Sequence, residues 1–229
     1  MRVIATDLHT DLHLQLRIAG RALARAGLVD AFGHYSARLD PATFLVTPSV
    51  PLASLAPGAA MVTVAIGGPL PPEVAPEVRL HQHVYRRRPR ANAVCRSTPP
   101  LVTALSTTRS TPRARHGSGA WFAPRAPLWD DPLLIRDDQR AAAVADTLGD
   151  GRAVVLRGNG ALTVGHDLRE ALVLAWLLED AARVELIVMR PGQGAVELTP
   201  DEARQRATWS GGLLERAWAY LTAGDPEVA

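Results

Sequence analysis

The chain has 229 residues, 47% of them hydrophobic, and a net charge of +2, a balance that suits one folded domain with a sizeable core and excludes a disordered or strongly charged specialist. All 25 basic side chains are arginine, which excludes chemistry built on a lysine amine: Schiff-base aldol cleavage, a lysine-anchored pyridoxal phosphate and a GxxxxGK phosphate loop. The single cysteine, Cys95, removes disulfides and CxxC redox or zinc motifs.

In chain order, MRVIATDLHTDLHLQL mixes charges into apolar spacing and reads as an amphipathic helix rather than a signal peptide. Helical spacing over 5–27 (Leu8, Leu12, Leu14, Ile18, Leu23) stops near Gly27. FGHYSARL (32–39) and FLVTPS (44–49) alternate around DPAT and predict a hairpin; MVTVAI (61–66) is a third strand. A helix over 77–88 ends at Pro89, because the proline ring disfavours helix in the residue before it. The basic run RRRPR (86–90) closing that helix reads as a solvated helix end rather than a nucleic-acid patch.

ANAVC (91–95) is a strand and PLVTALS opens the next helix, so Arg96, Ser97 and Thr98 are expected at a strand end, where α/β folds keep their chemistry. The stretch 107–135 is expected to be loop-rich, with TTRSTPRARHGSGAWFAPRAP (107–127) irregular and partly mobile. A helix over 136–148 ends at Gly149, and strands over 152–158 and 160–165 join through Asn159. The helix over 167–189 carries Glu179, Asp180, Arg183 and Glu185, too polar for a membrane span. Its Leu172, Val173, Leu174, Trp176, Leu177 and Leu178 put apolar groups on every face and call for burial all round. Thr199 and Glu202 make a capping box at the head of a C-terminal helical segment, about 199–222. The pattern predicts a single α/β (α+β) domain over 1–229, a central, mostly antiparallel β-sheet flanked by helices, with a cytoplasmic location.

GLVDAFGHYSARL (27–39), FLVTPS (44–49), EVRLHQHVYRRRPRANAV (77–94), PPLVTALS (99–106) and VVLRGNGALTVGHDLREALVLAWLLEDAARVEL (154–186) together resemble the class II aldolase and adducin-head family, in order and over about residues 5–190. The form GHYSARL looks like the branch that includes decarboxylases of oxygenated aromatic acids. The resemblance implies a divalent metal, usually zinc, held by a His-x-His pair at a strand end and a third His in a turn ending HG. The metal acts there as a Lewis acid, with a helix-start Glu moving protons. Glu77 holds the Glu position, but the pair falls on Arg96 and Thr98 and the third ligand on Asn159. Arginine cannot deprotonate to coordinate a metal, and Thr and Asn are poor zinc ligands, so neither metal nor other cofactor is expected. The family's phosphate-binding Gly-Asn pair corresponds to Gly33–His34 and its Ser-Ser to Ala75–Pro76, which argues against a phosphorylated sugar.

The remaining residues admit alternatives. Glu77 is either a first-turn acid favoured by the helix dipole or the proton carrier. His34 either polarises a substrate group or bonds the turn backbone. His81-Gln82-His83 has ligand spacing, but residues two apart on a helix point to different faces, so a packed helix histidine is the better reading and a metal site rebuilt from His34, His81 or His83 ranks last. His9, His13, His116 and His166 are expected on surfaces or turns.

The leading expectation is a metal-independent, lyase-like enzyme (decarboxylation, retro-aldol cleavage, dehydration or enolate-driven cyclisation) acting on a non-phosphorylated small molecule that bears a carboxylate or ketone. Arg96 replaces the metal, Thr98, Asn159, Gly33 and Ser49 contact substrate, and Glu77 or His34 moves the proton. The arginine-only, alanine-rich composition fits specialised metabolism in a high-GC bacterium. The rival is a non-catalytic binding or assembly protein like the adducin head. A homotetramer with its pocket near a subunit boundary is expected, with no nucleic-acid or membrane partner.

Overall fold

The computed structural model describes residues 2–189 and 194–228, with side chains from residue 12 onward, so the expectation for His9 lies outside them. The first helix, α1 (Arg2–Arg25), leads into the hairpin β1 (His34–Arg38) and β2 (Thr43–Val46). The hairpin turns where predicted, because the Asp40 carboxylate accepts the backbone N–H groups of Ala42 and Thr43 at 2.7 and 2.8 Å. Next come β3 (Val62–Ala65), one 3-10 turn at Pro76–Val78, α2 (Arg79–Arg87), β4 (Ala93–Ser97) and α3 (Pro100–Ser106). They are followed by α4 (Gly117–Ala120), β5 (Leu128–Trp129), α5 (Asp138–Leu148), β6 (Ala153–Leu156) and β7 (Ala161–Gly165). The helices α6 (Leu168–Val188), α7 (Pro200–Arg206) and α8 (Leu213–Thr222) finish the chain. No described helix is long and apolar enough to cross a membrane.

The seven strands form one sheet in the order β3-β2-β1-β4-β7-β6-β5, antiparallel at every pairing except β5 with β6. Strand alternation divides the side chains between two layers. Tyr35 and Cys95 face α1, α6 and α8, packing with Leu16, Leu23 and Leu172. Phe44, Val94 and Leu162 face α2 and α5, packing with Val84 and Val144. By the same alternation His34 and Ser36 on β1, and Arg96 on β4, lie on the α2 side.

Several expectations need correction. The stretch 107–127 is not wholly irregular, for it contains α4, and β5 follows it within the loop-rich 107–135. Two residues are too few to show alternation in the sequence, and β5 exists because β6 offers it a parallel edge. The helix predicted over 136–148 starts at Asp138, since Asp137 is its cap and accepts the Arg140 N–H at 2.8 Å. The apolar girdle of α6 is covered by this chain's own β4, β7, α1, α3 and α8, so it does not by itself demand a partner subunit. His116 sits in a bend as expected, partly exposed, with its Nε2 2.8 Å from Asp180. His13 accepts the Met61 N–H at 3.0 Å, whereas exposed His166 sits in a bend as expected. The basic run is an exposed helix end as expected, with Arg86 reaching the Ile66 carbonyl and Arg87 reaching Asp146 on α5.

The capping box forms in full at Thr199 and Glu202. A feature with no local signal is the clamp on the C-terminal tail. Arg17, Arg21 and Arg25 recur one helical turn apart along α1 and hold Asp225 and Glu227, with Arg21 Nη2 2.6 Å from Asp225.

Candidate active site

The site begins with a register. β1 and β4 run antiparallel with His34 opposite Arg96, which sets the two side chains next to each other on the α2 face at the end of both strands. β7 pairs on the other edge of β4 with Ser97 opposite Ala161, so the β6–β7 turn brings Asn159 to the same strand end. That approach requires glycine: at Gly160 (φ +79°) a Cβ would lie 2.2 Å from the Ser97 carbonyl oxygen and 2.8 Å from Thr98 Cα. Gly33 is similarly confined, with φ +152° and a would-be Cβ 2.7 Å from Val29.

Arg96 is 3% exposed and its guanidinium is held by three neighbours. Nη1 donates to the Ser97 carbonyl at 2.5 Å, Nη2 donates to Asn159 Oδ1 at 2.9 Å, and Nε faces Glu77 Oε2 at 3.6 Å. Glu77, presented by the 3-10 turn before α2, also accepts the Ile135 N–H at 3.2 Å through Oε1. The carboxylate thereby ties the end of the 107–135 stretch to the site.

Together these groups line a cavity of about 650 Å³. Gly33, His34, Ser49, Glu77, Arg96, Thr98 and Asn159, the residues singled out from the sequence, all reach its wall. The sequence reading missed Phe32, Leu134 and Arg136, which also line it. Leu134 and Arg136 carry no motif, and only the path of the loop brings them to the rim.

Four buried polar atoms at this wall have no hydrogen-bond partner: His34 Nε2, Arg96 Nε, Thr98 Oγ1 and Asn159 Nδ2. Arg96 Nε and Asn159 Nδ2 carry only hydrogens to give, and the Thr hydroxyl and the imidazole can each give one. Buried polar groups are normally paired, so this cluster is shaped for a ligand with oxygen acceptors.

Burial, reinforced by the nearby His81 and Arg96, holds His34 well below the ordinary imidazole range. Burial and then Arg96 bring His81 down to about 3. Both rings are therefore neutral at physiological pH. Burial lowers Arg96 too, with Glu77 and Cys95 opposing, but a guanidinium remains a cation. Burial pushes the Cys95 thiol up to about 12, and it lies on the opposite face of β4, so it offers no nucleophile.

The cavity does not fit a divalent cation. Its wall offers one carboxylate and one imidazole around a fixed guanidinium charge, which repels a second cation. Among the described residues no group of three or more His, Cys, Asp or Glu side chains could hold a metal ion. His81 and His83 diverge as their spacing requires: His81 turns inward to His34 and Ser36, while His83 turns outward to Asp138 at 3.2 Å.

Comparison with known proteins matches this architecture. Two curated relatives are each a 3,4-dihydroxyphthalate decarboxylase. The one from Arthrobacter keyseri is 27% identical over 93% of this chain and 93% of its own, and the one from Terrabacter sp. is 28% identical over 90% and 93%. The crystal structure of l-fuculose-1-phosphate aldolase from Thermus thermophilus superposes with a TM-score of 0.71 at 31% identity, covering 81% of this chain and 98% of that one. The L-fuculose 1-phosphate aldolase from Glaciozyma antarctica shares the fold, with a TM-score of 0.79 at 18% identity over 95% and 90% of the two chains. The model of the Class II Aldolase and Adducin N-terminal domain matches residues 15–186, and the chain belongs to that family.

Proposed function

We propose that the protein is a lyase-type enzyme acting without a metal on a small, non-phosphorylated carboxylate- or ketone-bearing molecule, with decarboxylation of a hydroxylated aromatic acid as the leading reaction. The observation that carries this reading is the convergence of unpartnered Arg96 Nε, Asn159 Nδ2, Thr98 Oγ1 and His34 Nε2 on one cavity. Each unsatisfied buried group costs about 1–3 kcal/mol, a burden that a pure assembly scaffold with no small-molecule ligand has no cause to keep. The names of the two decarboxylase relatives support the carboxylate class.

In this reading the Arg96 and Asn159 donors hold the substrate oxygens where negative charge develops. The Glu77 carboxylate takes the proton of the ring hydroxyl beside the leaving carboxylate and delivers it to the carbon that bears that carboxylate, while the oxygen's electron pair pushes into the ring. The C–C bond then breaks, CO2 leaves, and the bonding pair restores the aromatic ring as a phenolate, which takes a proton from water. Ala75–Pro76 supply no hydroxyls for a phosphate. Phe32, Val50 and Leu134 leave apolar groups exposed at the rim, which supports a homo-oligomer, most simply a tetramer, with subunits meeting near the cavity.

The test is CO2 release from 3,4-dihydroxyphthalate and related hydroxybenzoates by chelator-treated protein. Turnover that survives chelation and disappears in Arg96→Ala is expected. Turnover that needs added metal, or no binding of any such acid by calorimetry, would overturn the proposal.

A further inference from the structure

Behind the cavity wall runs a row of buried exchangeable groups. His34 Nδ1 lies 2.7 Å from His81 Nε2, His81 Nδ1 lies 2.6 Å from Ser36 Oγ, and Ser36 Oγ lies 2.8 Å from the Tyr85 hydroxyl. None of the four residues is more than 5% exposed. The row crosses from β1 to α2 and back, so it is a property of the packing between them.

Each junction holds one hydrogen and each neutral imidazole carries one, so the row points one of two ways at His34. In one, His34 donates from Nδ1 to His81, His81 to Ser36, and Ser36 to Tyr85. The phenolic hydrogen, or the Ser36 hydrogen if Tyr85 donates to Ser36 instead, is then left without an acceptor, because the other group bonded to the Tyr85 hydroxyl, the Val94 backbone N–H, can only donate. A buried donor left unmade carries its full desolvation penalty. In the other, Tyr85 donates to Ser36, Ser36 to His81 Nδ1, and His81 Nε2–H to His34 Nδ1. Every internal hydrogen is used, and the one left over is on His34 Nε2, the atom that meets the cavity without a partner.

We infer that Tyr85, Ser36 and His81 act as positioning residues that fix His34 as a neutral imidazole with its proton on Nε2, a donor and not a base. What the donor is for rests on the proposed reading of the cavity as a carboxylate site; the tautomer itself does not. A neutral N–H beside the Arg96 Nε–H adds a hydrogen bond for an anion at far less mutual repulsion than an imidazolium would bring. The row polarises the ligand and does not feed it protons. Sending one outward would leave Tyr85 as a buried phenolate, and burial pushes that hydroxyl above its ordinary range. Proton delivery stays with Glu77.

The experiment is a long-range 1H–15N spectrum of ligand-free protein labelled in histidine, with the His34 signals assigned by their loss in His34→Gln. A single neutral tautomer with Nε2 protonated is expected between about pH 6 and pH 8. Tyr85→Phe removes the terminal donor and is expected to turn His34 into a mixture of both tautomers; Ser36→Ala reads the same point if the first variant does not fold. A parent spectrum showing the Nδ1–H tautomer or an imidazolium overturns the inference, as does an unchanged tautomer in the variants. Failure of hydroxybenzoates to bind while the Nε2–H tautomer is present would count against the proposed function alone.

Discussion

Arg96 Nε and Glu77 Oε2 face each other 3.6 Å apart, an ion pair just beyond hydrogen-bonding distance, with side chains 3% and 16% exposed. The gap leaves the Nε–H unspent while the carboxylate still offsets the buried charge. A ligand oxygen that accepts this hydrogen need not break the pair. Arg96→Ala is therefore expected to weaken binding of hydroxybenzoates by about 2 kcal/mol or more, read by calorimetry. The fold should persist, because β4 is held by backbone pairing to β1 and β7. Arg96→Lys should be impaired as well, since an ammonium keeps the charge but loses the planar paired donors.

Glu77→Gln separates binding from turnover. The amide keeps the shape and can still accept the Ile135 N–H, but it cannot carry the proton. Single-turnover kinetics should show a loss of roughly a hundredfold or more in rate, with a much smaller change in affinity. Equal losses in both would assign Glu77 to binding.

Gly160→Ala tests how the β6–β7 turn positions Arg96. The added methyl would meet the Ser97 carbonyl at 2.2 Å and approach Arg96 Nη1 at 3.1 Å, at a backbone angle that already strains an alanine. A stability loss of about 1–3 kcal/mol with weakened ligand binding is expected, by denaturant titration and calorimetry. Gly158→Ala is the control, for its φ is +64° but its Cβ would meet nothing within 4 Å, so binding should survive.

Acid should destabilise the protein through the buried imidazoles. The folded values of His34 and His81 both lie below the ordinary 6.5, His81 at about 3, so below pH 6.5 the unfolded chain binds more protons than the fold. Their contribution is fully present above that pH and is lost as pH falls toward about 3. The loss is on the order of a few kcal/mol, measurable as a falling urea midpoint, and His81→Phe should flatten the slope.

The tail clamp should matter more than its terminal place implies. Burial works to raise Asp225, but hydrogen bonds from Arg21 and Arg25 outweigh it and hold the carboxyl at about 2. Being depressed below the ordinary 3.8, it stabilises the fold above that pH and fails only as pH drops toward about 2. Asp225→Asn leaves buried Arg21 with Glu227 as its remaining charge partner and is expected to cost about 1.5–3 kcal/mol at neutral pH, read by thermal unfolding.

Local periodicity made the helices and strands legible, because it depends on near neighbours: α6, the β1–β2 hairpin, the strand end at Arg96 and the turn at Asn159 could all be read from the chain. The family motifs then named the residues that now surround one cavity. Tertiary structure alone decided what those residues face. His34 meets His81 across 47 positions and Arg21 meets Asp225 across 204, partnerships that no spacing rule encodes. Leu134 and Arg136 reach the rim on either side of Ile135, which is buried in the core and bonded to Glu77. Propensity fixes the shape of a segment, but the partner of a buried polar group is whatever the packed layers leave within hydrogen-bonding reach.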